Sequence, residues 1–311
     1  MTTQINNRPL VSVLMNCYNG EQYIAEAIQT VLDQTYQNWE IIFWDNASTD
    51  RSAEIAQSYG DPRIKYFLAE ENIPLYAARD LAIKKVTGEI VGFLDVDDKW
   101  LPTKLEKQVP LFENEKVGIV FSDTLFFNND GKILSQYYQN TDYSTGMCFR
   151  HLLRNYFLSL ETVLIRKAAL DEQPYAFDKR FNMIGDADLF RRIGFSWELD
   201  MVNETLGMWR VDKNSMSWTQ TNKFFSETEQ MLESYNDLFK NFENEYREEI
   251  HHLRNSLEIG RAKVSLRNGD CREARKFLKP LLKEKSKKVL ALYSVSYLPS
   301  FIVKVISKNR L

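Results

Sequence analysis

The sequence predicts an α/β protein: a mostly parallel twisted sheet flanked by helices, followed by a helical C-terminal extension. Three observations predict it. Between Val11 and Val120, short apolar runs alternate with segments whose apolar residues fall at helical spacing, the pattern of βαβ units. At 311 residues, 44% apolar and 27% charged, the chain can bury a core of ordinary globular composition, which excludes disordered, collagen-like and disulfide-scaffold classes. Beyond about residue 222, aromatic and leucine residues recur at helix-packing intervals.

Taken in order, the run from Val11 to Met15 suits a buried parallel strand. Ile24, Ala27, Ile28, Val31 and Leu32 then occupy one face of a helix. Further strands are predicted over residues 40–44, 64–69, 89–95 and 117–123, with helices through Ala53 to Tyr59 and around Leu75, Ala78 and Ala82. The pattern loosens from Asn128 to Trp218, where a strand is predicted over Thr162 to Arg166 and a helix from near Gly185. No Pro/Gly-rich linker interrupts this stretch, so residues 1–222 read as one catalytic domain and 223–311 as a helical extension. In the extension, Phe225, Leu232, Phe239 and Tyr246 recur every seven residues, joined by Tyr235 and Phe242. So aromatic a stripe suits core packing better than a dimeric coiled coil, although a homodimer is compatible with it. The segment RNGDCREARKFL (Arg267 to Leu278) resembles one helix-turn-helix repeat unit, which must dock on neighbours to bury its face.

Charge and rare residues narrow the chemistry. Residues 251–311 hold 15 Lys+Arg against 4 Asp+Glu, so an acidic body carries a basic tail. An acidic body disfavours nucleic acid as a partner. In the tail, Val289 to Val303 is uncharged, too short to span a bilayer and flanked by lysines. It suits either a packed terminal helix or an interfacial contact with an anionic leaflet. The three scattered cysteines and the apolar-poor start MTTQINNRPL fit a cytoplasmic protein, at most touching the inner face of the membrane. His251 and His252 are adjacent, so on a helix their side chains diverge by about 100°. HExxH, GxSxG, P-loop and GxGxxG motifs are absent, and catalysis must rest on carboxylates.

Those carboxylates sit where an open α/β sheet binds ligands, beyond the carboxyl ends of the strands. Asn16-Cys17-Tyr18-Asn19 follows the first strand, Asp45-Asn46 the second and Asp95-Val96-Asp97-Asp98 the fourth. Like charges 4 Å apart repel by about 1 kcal/mol in water and about 4 kcal/mol at an effective dielectric of 20. A hard cation, Mn²⁺ or Mg²⁺, relieves this. If the strand persists, Asp95 and Asp97 share a face and Asp98 points away.

The ordered series VSVLMNCYNGEQYIAEAIQTVLDQTYQNWEIIFWDNASTD, DPRIKYF, AARD and FLDVDDKWLPTKLEKQ resembles the family 2 glycosyltransferases that use nucleotide-diphospho-sugars, over about Pro9 to Trp218. The resemblance implies a GT-A fold, inverting transfer and a divalent cation. It places Tyr18 and Asp45 at the donor nucleotide, Arg79 in donor contact, Asp95 towards the ribose and Asp97 on the metal. GDADLFRRI (Gly185 to Ile193) is similar to the family's Glu-Asp-x-Asp-Leu segment, making Asp186 the catalytic base, with Gly185 in place of Glu. Asn46 replaces a frequent Asp, Asn16 a frequent Pro and Asp212 a common His. The implied donor is a UDP-sugar, and the implied acceptor a glycan or lipid-linked sugar of a bacterial surface polysaccharide.

Each candidate also has a structural alternative. Asp45 suits an Asx-turn, Arg79 an ion pair, and Asp98 and Asp186 helix caps. Trp100, Trp209 and Arg210 suit core or site equally. Two other functions compete: a sugar-phosphate nucleotidyltransferase, which needs a cationic Gly-rich loop that NCYNGEQY lacks, and a non-catalytic scaffold, against which the joint retention of Asp45, Asp95, Asp97 and Asp186 argues.

Overall fold

The computed structural model describes residues 8–139, 141–212 and 215–303. Lys213 and Asn214, and the tail residues Lys304, Lys308 and Arg310, lie outside the described residues. The chain divides into two compact units, one ending at residue 219 and a second formed by residues 153–155 and 220 onward.

In the first unit, β1 (Val11–Cys17), β2 (Trp39–Asp45), β3 (Ile64–Leu68) and β4 (Ile90–Phe93) run parallel in the order β3-β2-β1-β4. β1 and β2 are buried along their whole length, as continuous apolar runs require when helices cover both faces. The predicted stripe of α1 (Ile24–Leu32) is buried at Ile24, Ala27, Ile28 and Val31 and packs with Val11, Val13 and Met15. α2 (Ser52–Ser58) follows β2, and α3 (Leu75–Ala82) packs on β1 and β2.

Beyond β4 the sheet becomes mixed. The short β5 (Lys99–Trp100) and α4 (Lys104–Gln108) precede β6 (Val117–Phe127), and β7 (Ile133–Gln136) pairs antiparallel with β6. After α5 (Phe149–Arg154), β8 (Leu164–Arg166) lies between β4 and β6, antiparallel to both. α6 (Lys167–Asp171) and α7 (Gly185–Ser196) lead to β9 (Glu198–Arg210), which pairs parallel with β6 and antiparallel with β5. Neither β5, β7 nor β9 is visible in the periodicity. ELDMVNETLGMWR has no clean alternation, and β9 is an irregular strand with register shifts against β6.

α8 (Met216–Thr219) closes the first unit. In the second unit, the heptad stripe does not run through one helix. α9 (Thr221–Leu238) stops before Phe239, Asn241 takes a left-handed conformation (φ 58°), and α10 (Phe242–Glu245) starts a new direction. Tyr235, Phe239, Phe242 and Tyr246 therefore form an aromatic cluster around the break. α11 (Arg247–Asn268) ends at Gly269, whose φ of 82° suits a C-terminal cap, and Asp270 caps α12 (Cys271–Leu278) by accepting from the Glu273 N–H at 3.0 Å. α13 (Lys287–Val295) buries Val289 and Leu292. No helix among the described residues is long and apolar enough to cross a membrane.

Candidate active site

The strand order places a switch point between β1 and β4, from which successive connections leave in opposite directions. Crevices outside the carboxyl ends of strands at such points are the usual ligand sites of open α/β sheets. Cys17 and Asp45 are register partners at this edge, and Asp95 lies two residues past the end of β4.

Two strand-end loops are knitted together here. Asn19 donates its N–H to Ser48 Oγ at 3.0 Å and accepts from the Thr49 N–H at 2.8 Å; Gly20 donates to Ser52 Oγ at 2.9 Å. Asn19 (φ 53°) and Ala47 (φ 62°) are left-handed, conformations that cost non-glycine residues about 1–2 kcal/mol. Asp45 is buried, accepting from the Ser48 N–H and from Tyr66 Oη, both at 2.7 Å. This is the turn-forming arrangement open to an Asp at a strand end. Asn46 explains its own departure from the family: its amide donates to Ile73 O at 2.8 Å, which a carboxylate cannot do. Tyr18 is 53% exposed beside this loop pair.

β4 stops at Phe93, so the period-two argument for Asp95 and Asp97 fails. Residues 95–98 instead form a turn closed by the Asp98 N–H on Asp95 O at 3.0 Å. Asp98 caps no helix. It is buried and accepts from the Arg210 N–H at 2.8 Å, while Arg210 Nε donates to Asp97 O at 2.8 Å and Nη2 to Glu26 Oε2 at 2.7 Å. Arg210 thus clamps the acidic turn from β9 and does not face a ligand. Burial, then the charge of Asp95, pushes the Asp97 carboxyl up to about 6. Among the described residues no group of three or more His, Cys, Asp or Glu side chains is arranged as a metal cage. The acidic pair nevertheless fits a hard cation, because Mg²⁺-type ions take one or two carboxylates and complete their shell from substrate phosphates and water.

A cleft of about 300 Å³ opens beside this turn, lined by Arg79, Asp95, Asp98, Glu161, Asp186 and Trp209 among others. It brings together Arg79, Asp95 and Asp186; Asp45, Asp97 and Tyr18 do not line it. Arg79 is buried on α3 and ion-paired with Asp95, so it backs that carboxylate instead of offering a free guanidinium. Asp186 occupies the first turn of α7, where the helix dipole favours an anion, and accepts from Tyr76 Oη at 2.7 Å. It is not the helix cap, which is Ile184. Trp100 is core: its indole N–H donates to Glu161 O at 2.8 Å. Trp209 is half-buried on the cleft wall, edge-on to Phe126 with ring centroids 5.1 Å apart.

Sequence reasoning missed Tyr76 and Glu161. Tyr76 had a signal, since it stands three residues before Arg79 on one helix face. Glu161 had none; it is a buried carboxyl, raised above its ordinary range mainly by burial, in an irregular stretch.

These features define an open α/β protein with a cleft lined by carboxylates beside its switch point. The chain belongs to glycosyl transferase family 2, whose profile matches residues 12–173. It is 30% identical over 171 residues to WfgD of Escherichia coli, a UDP-Glc:α-D-GlcNAc-diphosphoundecaprenol β-1,3-glucosyltransferase, covering 54% of this chain and 64% of WfgD. The chain thus spans less than two thirds of that relative. Two solved structures share the fold at low identity. TarS 1–349 of S. aureus in complex with UDP matches with TM-score 0.61 and 18% identity, over 97% of this chain and 92% of TarS. Mannosyltransferase PcManGT of Pyrobaculum calidifontis, in complex with GDP-Man and Mn²⁺, matches with TM-score 0.63 and 17% identity, over 97% and 84%.

Proposed function

We propose that the protein transfers a sugar, with inversion, from a nucleotide-diphospho-sugar to a hydroxyl of a glycan or lipid-linked acceptor in surface polysaccharide biosynthesis. The observation that carries this reading is that Asp186 and the Arg79–Asp95 pair line one cleft. Family membership supports it, and the name of WfgD, a relative that uses UDP-Glc, favours a UDP-sugar donor.

In this reading the donor lies along the strand ends, with Tyr18 and Asp45 near the nucleotide and Asp95 towards the ribose. Asp45 can serve a base only by sharing a carboxylate already engaged by Ser48 and Tyr66. Asp97, with Asp95 beside it, would hold Mn²⁺ or Mg²⁺, whose charge offsets that of the leaving diphosphate. Asp186 takes the proton from the acceptor hydroxyl. The acceptor oxygen bonds to the anomeric carbon from the face opposite the nucleotide, and the carbon–oxygen bond to the diphosphate breaks with its electron pair leaving on phosphate. One displacement inverts the centre.

The extension adds a place of action. Leu290, Tyr297, Leu298 and Phe301 are exposed in the second unit, Phe301 by 70%, in an uncharged stretch whose sequence is flanked by lysines. This combination suits peripheral contact with an anionic leaflet on the cytoplasmic side, where a lipid-linked acceptor lies.

The test is turnover of UDP-sugars with Mn²⁺ by Asp186→Asn. Transfer falls by about 10²–10⁴-fold, the usual worth of a general base, while donor binding persists. Near wild-type turnover rejects the assignment.

A further inference from the structure

Resting on the reading of Asp186 as the base, we infer that Tyr76 is the positioning residue for that base, and that Gly185 is the residue that makes room for it. Three observations meet at this point. The Tyr76 hydroxyl donates to Asp186 Oδ1 at 2.7 Å across 110 residues of sequence. The Tyr76 ring lies flat against Gly185: a Cβ there would stand 2.4, 2.5 and 2.7 Å from three ring carbons, closer than side-chain atoms approach. The ring is also held from behind by Phe177, centroids 5.6 Å apart, and by the Arg79 guanidinium 5.1 Å from its centre.

Gly185 is where the resemblance expects a glutamate. The structure supplies a physical reason for its loss. A glutamate, or even an alanine, cannot share the space with the Tyr76 ring, and the tyrosine instead brings a neutral donor to the base. Burial, then the Asp186 charge, holds the Tyr76 hydroxyl well above its ordinary range, so it stays protonated and can only donate to the carboxylate. Tyr76 and Arg79 share one face of α3, and Arg79 is paired with Asp95. One short helix therefore fixes the spacing between the donor-side carboxylate and the base, as preorganised attack geometry requires. Tyr156 also lies close enough to feel the Asp186 charge, but its buried hydroxyl finds no partner among the described residues. This leaves Tyr76 as the hydroxyl that orients the base.

The experiment uses the full chain and compares Tyr76→Phe, Asp186→Asn and Gly185→Ala with wild type, reading kcat, KM and donor affinity separately. Tyr76→Phe keeps the ring and its packing. It is expected to lower turnover by about 10–100-fold, the rate equivalent of one hydrogen bond to a charged group, with donor affinity unchanged. Gly185→Ala is expected to lose turnover, and combining it with Tyr76→Ser, which vacates the space, to recover it no further than the level of Tyr76→Phe, because the base still lacks its donor. Tyr76→Phe with wild-type turnover, or with a loss matched by weakened donor affinity, alongside an inactive Asp186→Asn, overturns the role of Tyr76 alone. Asp186→Asn with wild-type turnover overturns the base and its positioning residue together.

Discussion

Replacing Arg192 with Met removes the centre of a buried network on the helix that carries the proposed base. Arg192 and Asp188 are each 1% exposed, with Nε donating to Asp188 Oδ2 at 3.0 Å. Nη1 and Nη2 donate to the carbonyls of Tyr175 and Ala176, both at 2.8 Å, and the guanidinium lies 4.2 Å from the Tyr175 ring centre. The arginine thus ties α7 to the loop before it while neutralising a carboxylate that cannot reach water. Breaking a buried pair by removing one partner costs about 3–5 kcal/mol, out of a typical domain stability of about 5–15 kcal/mol. With a urea m-value of about 3 kcal/mol/M, the midpoint falls by about 1–2 M. Tryptophan fluorescence reads the effect locally, because all six tryptophans lie at or before residue 218, within the first unit. Arg192→Met combined with Asp188→Leu is expected to recover much of the loss, since a buried pair replaced by apolar side chains is often neutral. A midpoint within about 0.3 M of wild type for the single variant, equivalent to about 1 kcal/mol at that m-value, refutes the reasoning.

Further expectations follow from other parts of the fold. Glu40 is buried and accepts from Ser12, Lys65 and Thr87; burial alone would raise its pKa, but these donors hold it below the ordinary range. Its contribution is therefore present above the unfolded value of about 4.3 and lost as pH falls through the lower folded value. Urea titrations should show Glu40→Gln clearly less stable than wild type at pH 7 and the gap closing below pH 4; a gap constant with pH contradicts this. Asp97→Ala should abolish the Mn²⁺ dependence of donor binding, and calorimetry that finds the wild-type increment of affinity on adding Mn²⁺ rejects the metal assignment. Wild-type protein should sediment with vesicles rich in anionic lipid and not with neutral ones, and Leu298→Asp with Phe301→Asp should reduce this at least fivefold. Equal partition of both proteins removes the proposed membrane contact.

The sheet and its ligand edge were legible in the sequence because they arise from local rules. Continuous apolar runs such as those around Val13 and Ile42 can only be strands buried on two faces, and α1 declared its inner face through Ile24, Ala27, Ile28 and Val31. The polar residues that end those strands had to fall at the carboxyl edge, so Asp45 and Asp95 were legible as edge residues. β9 was not, since an irregular strand is held by its partner β6, about 80 residues earlier, and not by its own pattern. The heptad stripe packs as core, as its aromatic character suggests, but its period does not show that the backbone turns at Asn241 and that the aromatics cluster around the turn.

Residue identity and order by themselves determined the α/β class and the family, since each depends on which residues occur and how they are spaced. Only the tertiary structure decided which carboxylates face one cleft. Asp98, on the cleft wall, is engaged by the Arg210 N–H, Arg79 is consumed by Asp95, and Asp186 meets a tyrosine 110 residues away, across a glycine whose missing side chain makes the contact sterically allowed. These are pairings between distant segments, and their energies come from burial and hydrogen bonds that do not exist until the chain has packed.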